Sequence, residues 1–588
     1  MDLERMIHGK ALELVDKMLK FVCRITAFLL CALLLLSAHF GMAVVAEQSD
    51  TETVAEDAAK DEAAALVESD DEAYLKICQA IRSFEGEANL SDCKRSVKDL
   101  QILMQKVLSE HPEFFYLSNH YGYATDSQNM VTRIILYYEY EGEALTEAIA
   151  EYEALFGALV ALGSEEWSDL ETVLFYHDYL AAHYSYDTDY EIYDAYGFLK
   201  NGEGVCQAYS LVFDGLMSYY GIPCTFAQSE NLTHIWNVVF VDGGWYYLDV
   251  TWADPIVSGR TADMVDRPGS VHHSYFLLSA SEDLDAHFTK KGAQYDLVLG
   301  AELTASTTPH RYSHIWKHTT APFVEANGHF YGVEVTVNEN GIASNALFVE
   351  VNFKKSGLVT RYATLPVFWY VPGESSAYRG NFSGLCTDGR YVYYSTESAV
   401  YKYDSLNGSI VAVNVDNVNP DEKKIYSLRL EAGALVAYLG ASPNGPFEAV
   451  SLKNEQTMYT ITWVMDGEPL PVLVAAGTMP VFPGSTFKEG ENGISYQFIG
   501  WDPLVGPAYG DATYTAVYAV IKEYLPGDVN GDGEVTISDV TAILNYIARP
   551  DTAEVNLAAV DPDGNGTTTI SDVTLLLNFI AGHEVELN

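Results

Sequence analysis

The chain has 588 residues, 48% of them hydrophobic and 13% aromatic. That is too long for one core and too apolar for disorder, so about three to five folded domains are expected. Lys and Arg number 33 against 82 Asp and Glu, a formal charge of -49, which argues against nucleic acid as a partner and makes cations the natural counterpart.

Residues 25–46 form an apolar run behind Lys17, Lys20 and Arg24 that ends in Val44-Val45-Ala46. This anatomy predicts a signal peptide over 1–46, with a start at Met18 giving a more ordinary leader, and a secreted mature chain that does not span a membrane. Residues 47–70 are acidic and Ala-rich and read as a linker. Residues 71–160 read as an α+β region: Tyr74–Phe84 and Leu100–Leu108 carry the 3.6-residue apolar period, and Val131–Tyr140 alternates like a strand. Residues 161–290 mix helix and hairpins and hold the chemistry. Residues 310–455 are strand-rich, with segments at Phe330–Gly332, Tyr391–Tyr403 and Ile425–Leu439 recurring at propeller-blade spacing. About three such units are too few to close a propeller, so a β domain is expected. Residues 459–520 form a small separate β unit, and 526–583 a terminal module of loops and short helices.

Seven cysteines become five once Cys23 and Cys31 leave with the leader. An odd, sparse set is not a disulfide framework, and pairing of Cys78 with Cys93 is left open. Cys206 stands apart. It opens an apolar helical run reaching Tyr220, closed by Gly221 and Pro223. The dipole and free N–H groups of a helix start favour a thiolate, and the same N–H groups suit an oxyanion hole. Downstream, Asp242-Gly243 lies between two apolar runs, the signal of a type I′ hairpin. A two-residue turn there pairs Val241 with Gly244 and puts Asp249 opposite Trp236. His234 then becomes a diagonal neighbour of Asp249, roughly 7–8 Å away between backbones and within side-chain reach. The expected chemistry is a triad: Cys206 as nucleophile, His234 as base, Asp249 orienting the imidazole. Other candidates read as structural. Cys224 follows Pro223 in a strand with no local base, His177 sits in a helix, and His272 and His273 are adjacent residues that rarely share an ion and read as a surface loop.

These residues stand in three blocks: Gly204-Val205-Cys206-Gln207-Ala208-Tyr209, His234-Ile235-Trp236-Asn237-Val238, and Tyr247-Leu248-Asp249-Val250-Thr251-Trp252-Ala253-Asp254-Pro255. In order and spacing they resemble the transglutaminase-like superfamily of papain-type folds, with flanking likeness at His111–Leu117, His177–Leu180 and Tyr275–Leu278. The resemblance implies an α+β papain-like catalytic domain acting on peptide or glutamine amides, as a cysteine peptidase or a transglutaminase. Water as acceptor gives hydrolysis and a lysine amine gives crosslinking. The phrases Phe498–Pro503 and Gly510–Thr515 resemble the internalin B-type repeat of bacterial surface proteins, which implies a spacer or adhesive module.

The C-terminus carries a duplication. Asp528–Asp539 fits a twelve-residue calcium loop, with Asp528, Asn530, Asp532 and Asp539 at positions 1, 3, 5 and 12, Glu534 at 7, and Gly533 at the sharp turn. Thirty-three residues on, Asp561–Asp572 repeats it with Asp561, Asp563, Asn565, Thr567 and Asp572 in the same places. Aligned over 528–548 and 561–581, thirteen of twenty-one positions are identical. Position 12 is Asp rather than the Glu of sensor EF-hands, and the module resembles a type I dockerin. The resemblance implies two Ca²⁺ ions, a cohesin of a scaffoldin as partner, and cohesin choice by loop positions 10 and 11, here Ile537-Ser538 and Ile570-Ser571. The expected whole is a multidomain, secreted cellulosomal thiol enzyme: papain-like α+β core, β-rich middle domains and a small α dockerin. The alternative is a non-catalytic adhesion component anchored through the dockerin.

Overall fold

The computed structural model describes residues 60, 71–229, 234–254, 257–258, 264–282, 296–297, 305–355, 357–415, 418–419, 421–453, 457–486, 488, 494–522, 526–549, 555, 559–562, 568–583, 585 and 587. The expected leader and nearly all of the linker fall outside them. The chain forms two compact units: one holds residues up to Thr460 with Leu473–Pro480 and Gly506–Asp511, and the other holds Ile461–Val472, Val481–Val505 and Ala512–Asn588.

In the first unit, helix α1 (Glu72–Arg82) and helix α2 (Val97–Glu110) start on side-chain caps from Asp71 and Ser96. They pack Ile77, Ile81, Leu100, Met104 and Val107 into a small core. The opposite wall is an antiparallel sheet of β1 (Glu87–Asn89), β2 (Arg95–Ser96), β3 (Leu117–Thr125) and β4 (Met130–Tyr138). The alternation read over Val131–Tyr140 is strand β4, with Val131, Ile134 and Leu136 buried.

Three helices build the next core: α3 (Gly142–Val160), α4 (Asp169–His183) and α5 (Ala195–Asn201). Strands β5 (Ser185–Tyr186) and β6 (Glu203–Gly204) pair in parallel and lead into α6 (Cys206–Tyr219). Strands β7 (Cys224–Ser229), β8 (His234–Val241) and β9 (Gly244–Leu248) form an antiparallel sheet, followed by the single turn α7 (Val250–Ala253). Val212, Phe213 and Leu216 on α6 meet Phe226, Val239 and Leu248 from the sheet, all of them fully buried.

Three antiparallel meanders follow. Their strands are Val324–Ala326, His329–Val337, Ala343–Asn352 and Leu358–Leu365; then Leu385–Thr387, Tyr391–Ser395, Val400–Asp404 and Ile410–Ala412; then Lys424–Glu431, Ala434–Gly440 and Glu448–Ser451. Each of the three segments singled out in sequence falls in one meander. A further sheet joins Met458–Met465, Glu468–Ala475, Ile494–Asp502 and Ala512–Lys522, with Ile461–Val464 and Ala512–Thr515 parallel. Trp463 is buried there against Phe482, Trp501 and Tyr514. The terminal module has helices α8 (Ile537–Ala548) and α9 (Ile570–Ile580), joined through Val540, Ile543, Val573 and Leu576. The chain is thus multidomain and rich in sheets, with a small helical C-terminal region.

Candidate active site

Two glycines shape the approach to Cys206. Gly202 closes α5 in the left-handed region at φ 76°, which costs a residue without a Cβ little. Gly204 packs so tightly that a Cβ would lie 2.7 Å from Phe198 Cδ2 and 2.9 Å from the Ala208 methyl. The chain then enters α6 at Val205, whose carbonyl accepts the Ala208 and Tyr209 N–H groups at 3.0 and 3.2 Å but which offers no side-chain cap to the N–H groups of Cys206 and Gln207. Helix α6 is held to β8 by Asn237 Nδ2, which donates to the Ser210 carbonyl at 3.2 Å.

The hairpin after β8 turns on Asp242 at φ 50° and Gly243 at φ 78°, the two positive angles of a type I′ turn. It pairs Val241 with Gly244 and Asn237 with Leu248, the register read from sequence. His234 at the start of β8 therefore meets Asp249 just past the end of β9. His234 Nε2 donates to Asp249 Oδ2 at 2.6 Å, and both side chains are buried. The other carboxylate oxygen, Oδ1, accepts the Trp252 N–H at 3.0 Å, so Asp249 caps α7 as well. The Asp249 N–H donates to the Tyr275 carbonyl at 3.0 Å. Trp252 lies flat against the His234 ring, centroids 4.7 Å apart at 11°.

Electrostatics follow from that packing. Burial pushes the His234 imidazolium down, but the Asp249 carboxylate and the Cys206 thiol outweigh it and hold His234 up at about 10. Cys224 is the contrast. Burial and the nearby Asp214 carboxyl push its thiol well up, which leaves it inert. Cys78, Cys93, Cys206, Cys224 and Cys386 are all free thiols, so Cys78 and Cys93 are not bridged.

A loop over residues 187–194 lies beside the thiol. The Asp187 carboxylate gathers it by accepting N–H bonds from Asp189, Glu191 and Ile192 at 2.9, 2.6 and 2.8 Å. Val205 N–H donates to the Ile192 carbonyl at 2.9 Å, tying this loop to the start of α6. Tyr186, Tyr190 and Tyr193 form an aromatic rim there. Tyr186 feels the Cys206 thiol, and its ring meets that of Tyr190 edge-on at 6.1 Å. Sequence reasoning missed this rim, because isolated tyrosines in a loop have no period to mark them.

One reading requires correction. His273 is not in a surface loop: it is 1% exposed and bonds the Asp178 carboxylate through Nε2 at 2.9 Å. Adjacent polar residues near a Gly resemble a turn in sequence, and only the fold buries one of them. His177 is likewise buried and bonds Asp178 through Nδ1 at 2.7 Å.

In the C-terminal module, Asp528, Asp532 and Asp539 each present a carboxylate oxygen within 4.8 Å of the others. Three carboxylates that close would repel one another without a cation between them, and oxygen donors suit a hard divalent ion such as Ca²⁺. Gly531 and Gly533, at φ 72° and 90°, make the turn. Asn530 donates through Nδ2 to Asp532 at 2.8 Å. The Glu534 side chain is exposed and outside this cluster, consistent with a backbone ligand at position 7. In the second loop Asp563, Asn565 and Thr567 lie outside the described residues, while Asp572 is buried and completes a capping box with Thr569, as Asp539 does with Thr536. Ile537 and Ile570, at loop position 10, are 62% and 58% exposed, and Ser538 and Ser571 are exposed beside them.

Comparison with known proteins matches this division. Residues 161–250 match the transglutaminase-like superfamily, and residues 526–581 match the dockerin type I domain. The chain carries a transglutaminase-like domain and a type I dockerin. Dockerins of this type bind calcium and dock on cohesins. No curated protein matches the chain. Similar solved structures include a TGase at 16% identity over 24% of this chain and 47% of that one, with a TM-score of 0.17. They also include the extracellular domain of a hybrid two-component system from B. thetaiotaomicron, at 13% identity over 45% of this chain and 32% of that one, TM-score 0.17. A third, described as a protease, comes from Parabacteroides distasonis, at 11% identity over 50% of this chain and 56% of that one, TM-score 0.19. The chain spans about half the length of the TGase structure. No helix among the described residues is long and apolar enough to cross a membrane.

Proposed function

We propose that the protein is a secreted, dockerin-borne thiol enzyme that transfers the acyl group of a peptide or glutamine amide through Cys206. The reading is carried by the 2.6 Å bond between His234 and Asp249, made by two buried groups beside the thiol. Asp249 holds Nε2 as a donor, which leaves Nδ1 to exchange the proton of the thiol. The thiolate attacks the carbonyl carbon, His234 protonates the leaving amine, and an acyl-Cys206 thioester remains for water or an amine to cleave. The N–H groups opening α6 face the developing oxyanion. Two Ca²⁺ ions, one in each duplicated loop, order the dockerin. Ile537, Ser538, Ile570 and Ser571 then meet a cohesin and place the enzyme on a scaffoldin.

The experiment is active-site labelling of the full chain with an iodoacetamide probe and with peptide electrophiles, alongside Cys206→Ala. Rapid labelling lost in Cys206→Ala, with Cys224 unlabelled, is the expected result. A Cys206 that reacts no faster than a free cysteine sinks the reading in favour of a non-catalytic binding component. Incubation with a peptide library and a labelled amine then separates peptidase from transglutaminase.

A further inference from the structure

Asp178 on α4 is the most deeply buried carboxylate of the core outside the triad, 1% exposed. Its Oδ1 accepts from His177 Nδ1 at 2.7 Å and from His273 Nε2 at 2.9 Å. Its Oδ2 accepts from His273 Nε2 at 3.0 Å and from the Phe323 N–H at 2.5 Å. Burial pushes the Asp178 carboxyl up, but His273 and His177 outweigh it and hold it below the usual carboxylate range. His177, Asp178 and His273 offer ligand atoms within 4.8 Å of one another, as a metal site would. A carboxylate already engaged by donors from three parts of the chain is instead a hydrogen-bonded post.

What the post holds matters more than the post. His273 belongs to the turn His273–Tyr275, and the Tyr275 carbonyl accepts the Asp249 N–H at 3.0 Å. The Tyr275 ring meets Trp252 edge-on at 5.3 Å, and Trp252 stacks on His234. The same turn is bound to α7 by His272 N–H, which donates to the Ala253 carbonyl at 2.7 Å. On its other side stand residues 319–323, which lead into the first β meander. His273 Nδ1 lies 3.4 Å from the Thr319 carbonyl, and Val271 N–H donates to the Thr320 carbonyl at 3.0 Å. An unbroken series of contacts thus runs from the entry of the β-rich region, through Asp178 and the 273–275 turn, to both His234 and Asp249.

We propose that Asp178 is a positioning residue for the triad and that residues 319–323 of the β-rich region form part of the active-site scaffold. The catalytic core is then not self-sufficient. Strain or release at the β-rich region is felt at Asp249 through the turn. The proposal rests on the triad reading for its consequence in catalysis, but its structural content does not.

The test uses the full chain, selectively labelled at histidine, and follows the NMR titration of His234, a readout independent of catalysis. Titratable groups acting on His234 are Asp249 and Cys206; those acting on Asp178 are His177 and His273, with Asp249 acting on His177 from farther away. Asp178→Asn is expected to move the His234 midpoint down by at least about one pH unit, a tenfold change in its protonation equilibrium, and to slow Cys206 labelling. His273→Gln, which keeps an N–H donor toward Asp178, is expected to titrate close to the parent. Lys354→Ala cuts another tie of the β-rich region, the 3.8 Å ion pair with Glu171, and should leave His234 unmoved. If Asp178→Asn does not fold, His273→Phe carries the same test by deleting the donor while keeping a ring. An unmoved His234 in a folded Asp178→Asn or His273→Phe overturns the proposal even if Cys206 is reactive. A displaced His234 beside an unreactive Cys206 keeps the tether and overturns the enzyme reading instead.

Discussion

Replacing Asp249 with Asn isolates one interaction. The side chains are nearly isosteric, and Asn caps a helix as well as Asp does, so the bond to the Trp252 N–H survives. What goes is the charge that faces His234. The imidazolium stands at about 10 against an ordinary 6.5. At about 1.4 kcal/mol for each pH unit, this difference corresponds to roughly 5 kcal/mol of preference for the charged ring in the folded protein. The pair is buried, so solvent screens little of it. Because the folded value lies above the unfolded one, this contribution is complete below about pH 6.5 and is lost as pH rises toward about 10. In Asp249→Asn, burial prevails and drives the ring neutral. Denaturant unfolding of both proteins from pH 6 to pH 10 is the assay. The wild type is expected to exceed the variant by several kcal/mol near pH 6, with the gap narrowing steadily as pH approaches 10. Labelling of Cys206 at neutral pH should fall in parallel. Stability curves that stay parallel across that window would refute the reasoning, because a constant gap means that Asp249 supports packing and not the charge on His234.

Other expectations follow from the same geometry. Gly204→Ala should cost about 1–3 kcal/mol in thermal unfolding, since its methyl meets Phe198 and Ala208 at under 3 Å, and should slow Cys206 labelling by displacing the start of α6. Treatment with EDTA should melt the helical signal of the C-terminal module and leave labelling of Cys206 unchanged, because the converging carboxylates are those of residues 528–539; equal loss of both would contradict this separation. Ile537→Asp or Ile570→Asp alone should weaken cohesin binding little by calorimetry, and the two together should abolish it, because the repeats present matching exposed positions. A single change that removes all binding would mean that only one repeat docks.

The site divides according to how local its causes are. The hairpin that brings His234 to Asp249 turns on two adjacent residues, Asp242 and Gly243, whose positive φ angles set the register of the strands on either side. Cys206 at a helix start follows from the glycines before it and the apolar run after it. Residues 528–539 and 561–572 are one twelve-residue pattern written twice. In each case the determining contacts lie within a few residues of one another, so the order of amino acids alone determined the cysteine at a helix start, the pairing of His234 with Asp249 and the loop at 528–539. The short strands β1 and β2 lack a readable period, and only pairing with β4 makes them strands. Asp178 is the extreme case: it meets His273 across 95 residues and Phe323 across 145. Taken singly, these are a helical acid, a loop histidine and an apolar residue whose contribution is its backbone N–H. Burial of a charge requires that its partners arrive from wherever the chain passes, and only the tertiary structure decides which segments pass there.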